Sequence, residues 1–159
     1  MKQYDFQQRG KMKYELLKLD NQLCFPVYAA SRLIIREYQP YLDKLGITYP
    51  QYLVLLILWE KDNVPIKEIT GRLLLNTNTV TPLLKRMEKL GIIKRKRTVR
   101  DERKVLLRLT NKGEHLKKKA ASIPEKVSSG LLTGSLKRKD LELLKGMLEK
   151  VIETLSSTR

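Results

Sequence analysis

The stretch NTNTVTPLLKRMEKLG, residues 76–91, has the pattern of a short amphipathic helix with defined ends. Its opening asparagine and threonine residues are favoured N-caps, and Gly91 is a favoured residue directly after a helix. Apolar residues at three- and four-residue spacing share one face: Val80, Leu83, Leu84, Met87 and Leu90. The other face is polar and basic: Thr77, Asn78, Thr81, Lys85, Arg86 and Lys89. Hydroxyl and amide groups at a helix N-terminus reach base edges in a DNA major groove, and basic residues suit phosphates.

A basic β-hairpin is predicted after this helix, because the period of the apolar residues changes to that of a strand. The segments IIKRKRTV and RKVLLRL flank the short sequence RDE. The hairpin tip would carry Arg100, Arg103 and Lys104, and a narrow minor groove can accept an arginine. Asp101 is expected to orient a neighbouring arginine rather than to bind phosphate.

Two further helices are predicted before residue 76. The nearly all-apolar run YPQYLVLLILWEK, residues 49–61, suits a buried helix by its length and flanks. PIKEITGRLLL, residues 65–75, is predicted to begin a helix with Pro65 at its first position. Two short helices, a polar turn, a third helix and a basic hairpin follow the order of a winged helix-turn-helix. The predicted fold is mainly α with a small β-hairpin wing, and residues 49–109 are its DNA-binding region.

The two flanks, residues 1–48 and 110–159, are predicted to be a helical dimerisation region that forms one compact chain with the DNA-binding region. The first flank has apolar residues at helical spacing from residue 14 onward, and Pro40 and Gly46 are expected to end this helix.

Pro26 leaves two readings of where the first helix starts. Proline is tolerated in the first turn of a helix and is costly inside it. Either the helix begins a few residues before Pro26, with Asp20 or Asn21 as its cap, or it begins earlier and kinks at Pro26. The first reading places Cys24 in the opening turn.

The second flank contains two helical patterns. Residues 110–127 are predicted to be one helix begun by Thr110 or Asn111. Residues 139–155 carry a seam of apolar residues at alternating three- and four-residue spacing: Leu141, Leu144, Leu148, Val151 and Leu155. Such a seam packs against another helix, and a second copy of the chain is the favoured partner. A homodimer, which reads a pseudo-palindromic operator, is therefore predicted.

The charge of the chain is concentrated in the predicted DNA-binding region. The chain has 159 residues and a formal net charge of +16. Residues 85–119 hold 15 Lys or Arg and 4 Asp or Glu, a difference of +11. A polyanion such as double-stranded DNA is the natural partner of such a cluster, and the alternative is a merely solvated basic surface.

Cysteine, histidine and apolar content exclude several classes of protein. One cysteine and one histidine leave no disulfide framework and no multi-cysteine zinc site, so neither a metal nor a cofactor is expected. No apolar run approaches the roughly 20 residues of a membrane span, and the N-terminus lacks the apolar core of a signal peptide. A cytoplasmic protein that binds no membrane is predicted.

Four segments carry a family resemblance: DNQLCFPVYAASR, LGITYPQYLVLLILWE, TPLLKRMEKLGIIKRKR and RDERKVLLRLT. They resemble the MarR family of dimeric winged-helix repressors, and within it the one-cysteine organic hydroperoxide resistance regulators (OhrR type). The resemblance covers about residues 20–115. It implies a DNA-binding repressor that is not an enzyme and that responds to organic hydroperoxide.

The resemblance also implies roles for single residues. Cys24 would be the peroxide-sensing thiol, with Tyr28 beside it rearranging on oxidation. Tyr38 and Tyr49 of the partner subunit would hydrogen-bond to its thiolate. The implied contacts to DNA are Thr77, Asn78, Thr79 and Arg86 in the major groove and Asp101 with Arg103 at the wing tip.

Physical chemistry bears on the cysteine independently. A thiol in the opening turn of a helix feels the positive end of the helix dipole, which favours the thiolate that attacks peroxide. Tyr28 lies one helical turn after Cys24 on the same face. Tyr38 is fourteen residues after Cys24, about 21 Å along one helix, so only a partner subunit could bring it to the thiol.

Three other readings stay open at this point. Cys24 is a buried structural thiol, as lone cysteines often are. The repressor is released by a small aromatic ligand instead of thiol oxidation. The protein is a thiol-dependent peroxidase, although it lacks a second cysteine to resolve the oxidised thiol. If the thiol is the sensor, oxidation ends as sulfenic acid, as over-oxidised sulfur or as a mixed disulfide with a low-molecular-weight thiol.

Overall fold

A computed structural model of the chain describes residues 14–97 and 105–157. The wing-tip residues predicted to contact DNA lie outside the described residues: Arg100, Asp101, Arg103 and Lys104.

Seven α-helices and three β-strands form the described part of the chain. In chain order they are α1 (Cys24–Leu45), α2 (Tyr49–Glu60), β1 (Val64–Pro65), α3 (Ile66–Leu73), α4 (Thr77–Lys89), β2 (Ile93–Arg97), β3 (Val105–Leu109), α5 (Asn111–Ala120), α6 (Ile123–Leu131) and α7 (Arg138–Ser157). A short 3-10 helix, Leu19–Asn21, precedes α1. The predicted fold class, mainly helical with a winged helix-turn-helix, is confirmed.

The start of α1 decides between the two readings of Pro26. The helix begins at Cys24, so Pro26 lies in its first turn, where its missing N–H costs no hydrogen bond. The predicted caps are wrong. Leu23 is the N-cap and makes no side-chain cap bond, whereas Asp20 and Asn21 belong to the 3-10 helix. The Asn21 amide donates instead to the Glu15 carbonyl at 2.8 Å.

The end of α1 corrects the prediction for Pro40. The helix passes through Pro40 and continues to Leu45. Proline removes one backbone donor, but Leu42 is fully buried two residues later, and its burial favours continuing the helix. Gly46 ends the helix as predicted, with φ of 68°, and the Ile47 N–H closes the turn on the Leu42 carbonyl at 3.1 Å.

The helix-turn-helix packs around α2, which is buried along most of its length. A capping box begins α2, in which the Thr48 N–H donates to Gln51 Oε1 at 2.8 Å. Helices α3 and α4 pack against α2, and α4 also packs against β2. The fully buried side chains at this centre are Val54, Leu55, Ile69, Val80, Leu84 and Met87.

The three strands form one antiparallel sheet in the order β1-β3-β2. The predicted hairpin is its larger part, with Ile93 opposite Leu109 and Arg95 opposite Leu107. The two-residue strand β1 was not predicted. Pro65 is the N-cap of α3 and pairs with Leu106, so its predicted place as the first helical residue is wrong by one position. Proline suits the edge of a sheet because it has no N–H to leave unpaired.

The segment after β3 forms two helices rather than the single predicted one. Thr110 is the N-cap of α5, as predicted, and its Oγ1 accepts from the Gly113 N–H at 3.1 Å. The break before α6 has a local cause. Pro124 has no N–H to donate to the Ala120 carbonyl, so a continuous helix would lose a bond there, and Pro124 instead lies in the first turn of α6.

Candidate DNA interface and thiol sensor

The N-terminus of α4 is an exposed polar surface, and one of its hydroxyl groups, that of Thr79, is hydrogen-bonded within the helix cap. The Asn76 side chain caps the helix by accepting from the Thr79 N–H at 2.9 Å and from Thr79 Oγ1 at 3.0 Å. Thr77 and Asn78 are exposed beside this cap. The hydroxyl of Thr79 is therefore engaged in the cap, while Thr77 and Asn78 face solvent at the positive end of the helix.

The two faces of α4 divide as the sequence predicts. Val80, Leu83, Leu84 and Met87 are buried, and Lys85, Arg86 and Lys89 are exposed. Thr81 is half-buried, and Leu90, predicted to join the buried face, is 40% exposed. The structure thus places Thr77, Asn78 and Thr79 together at the exposed N-terminus of α4, whereas Arg86 is exposed in the last turn of the same helix.

An ion pair that the sequence analysis missed joins α4 to the wing. Arg95 in β2 donates from Nε to Glu88 Oε2 at 2.7 Å, and its backbone N–H donates to Glu88 Oε1 at 3.2 Å. The hydrogen bond from the Arg95 side chain holds the pKa of Glu88 below its ordinary value, against the opposing effect of burial. The sequence signal for this ion pair was an acidic residue, Glu88, before Gly91 and a basic residue, Arg95, after it. This pair fixes the base of the wing against the end of α4.

The described part of the wing carries a basic face. Lys94 and Lys96 are exposed in β2 and flank the half-buried Arg95. Lys94 lies opposite the exposed Arg108 in β3, so the three cations share one face of the hairpin. Such a face suits the phosphates of a nucleic acid backbone.

Cys24 is exposed, and it is the first residue of α1. Tyr28, one turn later, is 59% exposed, and the Arg32 guanidinium lies 5.6 Å from the centre of its ring. Tyr38 lies on the same helix fourteen residues after Cys24, about 21 Å along the axis. Within one chain the structure therefore brings Tyr28 near the thiol and leaves Tyr38 and Tyr49 far from it.

Tyr38 and Tyr49 belong to an aromatic cluster at the junction of α1 and α2. Their ring centres are 5.1 Å apart, in an edge-to-face arrangement. Tyr52 lies 5.9 Å from Tyr38 and 6.3 Å from Tyr49, and Trp59 lies 6.1 Å from Tyr52. The sequence analysis missed Tyr52 and Trp59 as members, although their seven-residue spacing on one helix was a usable signal.

The tyrosines of this cluster are held in their neutral form. Burial raises the pKa of Tyr52 to about 12, and the phenols of Tyr38 and Tyr49 add to the rise. Burial also raises the pKa of Tyr49, and burial followed by the neighbouring Tyr49 raises that of Tyr38. Neutral phenols can donate hydrogen bonds to an anionic sulfur.

Two apolar helix faces stay uncovered within the described chain. On the first half of α1 the exposed side chains are Leu23, Val27, Tyr28 and Leu33. On α7 they are Leu143, Leu144, Met147, Val151, Ile152 and Leu155. No described residue of α7 is buried. None of the described helices is long and apolar enough to cross a bilayer, and the described residues contain no group of His, Cys, Asp and Glu suited to a metal ion.

Comparisons with known proteins identify the family. The family model described as transcriptional regulator SarA/Rot matches residues 36–120. The organic hydroperoxide resistance transcriptional regulator of Bacillus subtilis is 49% identical over 145 residues, which cover 90% of this chain and 95% of the relative. The chain belongs to the MarR-type winged-helix transcriptional regulators. The resemblance to the organic hydroperoxide resistance branch is confirmed with it.

The solved structures of AbfR, from Staphylococcus epidermidis, are similar to this MarR-type regulator. Reduced AbfR bound to DNA is 38% identical with a TM-score of 0.71 and covers 91% of this chain and 99% of its own. Overoxidised AbfR bound to DNA is 37% identical with a TM-score of 0.70, covering 90% and 98%. AbfR in its disulfide form is 38% identical with a TM-score of 0.59, again covering 90% and 98%. The regulators of this family are dimeric.

Proposed function

We propose that this regulator is a redox-sensing repressor that binds an operator in double-stranded DNA and releases it when an organic hydroperoxide oxidises Cys24. The observation that carries the proposal is the position of the chain's one cysteine. It is exposed, it opens a long helix, and it lies on an apolar face left for a second subunit. The similarity to a hydroperoxide resistance regulator supports the same reading.

The DNA-binding residues of the proposal lie on α4 and the wing. Thr77 and Asn78 would read base edges, and the basic residues would bind phosphates. The full proposed set is Thr77, Asn78, Thr79, Thr81, Lys85, Arg86, Arg100, Asp101, Arg103 and Lys104. Thr79 can contact DNA only as an acceptor or through its methyl group, because its hydroxyl already donates to the Asn76 side chain. A two-fold dimer would present two such surfaces to a pseudo-palindromic operator about one helical turn, roughly 34 Å, apart.

The sensing step is a two-electron oxidation of sulfur. The Cys24 thiolate attacks the outer oxygen of the hydroperoxide, the O–O bond breaks, and the alcohol leaves after taking up a proton. The product is a sulfenic acid on Cys24. A low-molecular-weight thiol then attacks that sulfur, forming a mixed disulfide and releasing water.

The mixed disulfide is the form we propose to release DNA. Overoxidised AbfR was solved bound to DNA, whereas its disulfide form departs further from the present fold, with a TM-score of 0.59 against 0.71 for the reduced form. Because this chain has one cysteine, its disulfide must use a thiol from outside the chain. Added bulk at Cys24 would disturb the packing with its own Tyr28 and with Tyr38 and Tyr49 of the partner subunit.

The test is operator binding before and after oxidation. An operator duplex is first selected from random-sequence DNA by the reduced protein. Treatment with cumene hydroperoxide and free cysteine should weaken its binding by at least about tenfold, and dithiothreitol should restore it. Cys24→Ser is the matched control, since it keeps the size of the side chain and removes the redox chemistry. Release of the serine variant by the same treatment would disprove the proposal.

The proposal also covers peroxide stoichiometry, cellular location and the division of the chain into regions. The homologues are transcriptional regulators. We propose that this chain consumes peroxide stoichiometrically, without catalytic turnover, and that it acts in the cytoplasm, where its DNA lies. We propose also that residues 49–109 read DNA while residues 1–48 and 110–159 form the dimer. Catalytic turnover of peroxide with a reductant would contradict the first part.

A further inference from the structure

We infer that Trp59 is a positioning residue that couples the thiol sensor to the wing, contacting Tyr52 on one side and Gly113 on the other. This coupling rests on the proposed function, since it explains how a change at Cys24 would reach α4 and the wing. Trp59 does not touch the thiol, and it acts only through its neighbours.

The sensor side of the coupling is the contact of Tyr52 with two tyrosines. Tyr52 is only 2% exposed, and its ring packs against both Tyr38 on α1 and Tyr49 at the start of α2. A buried ring in close-packed surroundings cannot stay in place when both of its neighbours move. Any rearrangement of Tyr38 and Tyr49 is therefore felt at Tyr52.

The middle of the coupling is Trp59 itself. Its ring meets the edge of Tyr52 at 6.1 Å, two helical turns along α2. Its Nε1–H donates to the Gly113 carbonyl on α5 at 3.1 Å, and Lys117 Nζ donates to the Trp59 carbonyl at 2.8 Å. These two bonds tie the end of α2 to α5, at Gly113 near its start and at Lys117 in its last turn.

The wing side of the coupling is a tight contact at Gly113. A Cβ on this glycine would collide with the Ile92 carbonyl oxygen and would lie 2.9 Å from Leu109 Cδ2. The same carbonyl accepts from the Thr110 N–H at 3.1 Å and from Thr110 Oγ1 at 3.0 Å. Ile92 is the residue directly before β2, so a shift of Gly113 is passed to the base of the wing.

The spectroscopic test uses Trp59 as its own reporter, because it is the one tryptophan of the chain. Methyl methanethiosulfonate places a small disulfide on Cys24, the one thiol. The coupling predicts a shift in tryptophan emission on modification of the full-length wild type, reversed by dithiothreitol and absent in Cys24→Ser. Unchanged emission would disprove the coupling.

The functional test compares two variants that each remove one polar group from the cluster. Trp59→Phe keeps an aromatic ring and removes the bond to Gly113. Tyr52→Phe is the matched control, since it keeps the ring contact and removes only a hydroxyl. Affinity for the selected operator duplex is measured before and after thiol modification, and thermal unfolding checks that each variant is folded.

We expect both variants to bind DNA within about threefold of wild type when unmodified. The loss of affinity on modification should be at least about tenfold smaller in Trp59→Phe than in wild type and unchanged in Tyr52→Phe. If wild type loses its operator and Trp59→Phe loses it equally, the coupling alone is wrong. If modified wild type still holds its operator, the proposed function fails and the coupling fails with it.

Discussion

The proposed DNA-reading half and the proposed dimerisation arms of this chain differ in how much of their apolar surface they bury. In the DNA-reading half, α2–α4 and the sheet, side chains such as Val54, Ile69 and Leu84 are fully buried. In the dimerisation arms, the first half of α1 and all of α7, Leu23 is 82% exposed and Leu155 is 65% exposed. The first region completes its core within one chain, and the second does not.

The difference places the proposed sensor in the incomplete region. Cys24 opens one proposed dimerisation arm, and the aromatic cluster around Tyr52 lies where α1 meets α2. A second subunit that covers the arms would also build the surroundings of the thiol. Oxidation would then disturb packing that the two subunits share. The DNA-reading half would shift as a rigid body, because its core is complete within one chain.

The largest expected effect comes from replacing exposed apolar residues of α7 with polar ones. We expect Leu144→Gln with Val151→Gln to convert the dimer to a monomer and to weaken operator binding by at least about 100-fold, because only one half-site is then bound at a time. Sedimentation velocity and DNA titration measure the two effects. The helical signal in circular dichroism should largely remain, since the DNA-reading half has its own core.

The control for the arms is Glu142→Gln with Glu149→Gln. These residues lie on the same helix with the same seven-residue spacing, and both are exposed and polar. They should leave the dimer intact. A dimer that survives the apolar pair of substitutions would show that α7 is not part of the interface.

The next largest effect tests how tightly α5 packs against the DNA-reading half. We expect Gly113→Ala to lower the free energy of unfolding by about 3 kcal/mol, because the new Cβ collides with the Ile92 carbonyl in a well-packed joint. Gly71→Ala is the matched control. Its Cβ would meet nothing within 4 Å, so the loss of backbone freedom in the unfolded chain should stabilise the protein slightly. Chemical denaturation of both variants checks the contrast, and equal effects would contradict it.

Local patterns in the sequence were sufficient for much of the fold and part of the site. Apolar spacing identified the buried face of α4, and the cap at Thr110 and the left-handed Gly46 followed from residue chemistry alone. The opening-turn position of Cys24 was one of two readings that Pro26 left open, and the start of α1 selects it. Each of these depends on residues within a few positions of one another.

What the sequence analysis missed depends on contacts between distant residues. Leu42 keeps α1 helical beyond Pro40 by its burial against other elements, which the local pattern does not show. Strand β1 is two residues long and exists through its pairing with β3. The contact of Trp59 with Gly113 joins residues 54 positions apart. Apolar periodicity carries no information on such pairs.

A moderate effect is expected at the N-cap of α4, the helix that we propose to contact DNA. We expect Asn76→Ala to lower the free energy of unfolding by about 1 kcal/mol, because the Thr79 N–H and the Thr79 hydroxyl lose their side-chain acceptor. Asn76→Asp keeps an acceptor and adds a negative charge at the positive helix end, so it should retain stability. Thermal unfolding of the three proteins measures the order, and an alanine variant as stable as the aspartate variant would contradict the role of the cap.

The smallest effect is expected at the ion pair between α4 and the wing, and its pH dependence identifies it. The Glu88 carboxylate is partly exposed, so we expect Glu88→Gln to cost less than about 1 kcal/mol at neutral pH. Because the pKa of Glu88 is lowered in the folded chain, its contribution is fully present above the ordinary value of 4.5 and is lost as the pH falls through the lowered pKa.

Wild type and Glu88→Gln should therefore differ in stability at pH 7 and converge in strong acid. Glu114→Gln, an exposed carboxylate at the start of α5, serves as a control that should show a smaller difference. A difference between wild type and Glu88→Gln that stayed constant down to pH 2 would mean that the charge of Glu88 contributes nothing. The wing would then be held against α4 by the sheet and its apolar contacts alone. The wing would in that case be stabilised, like the rest of the DNA-reading half, by buried apolar packing within one chain.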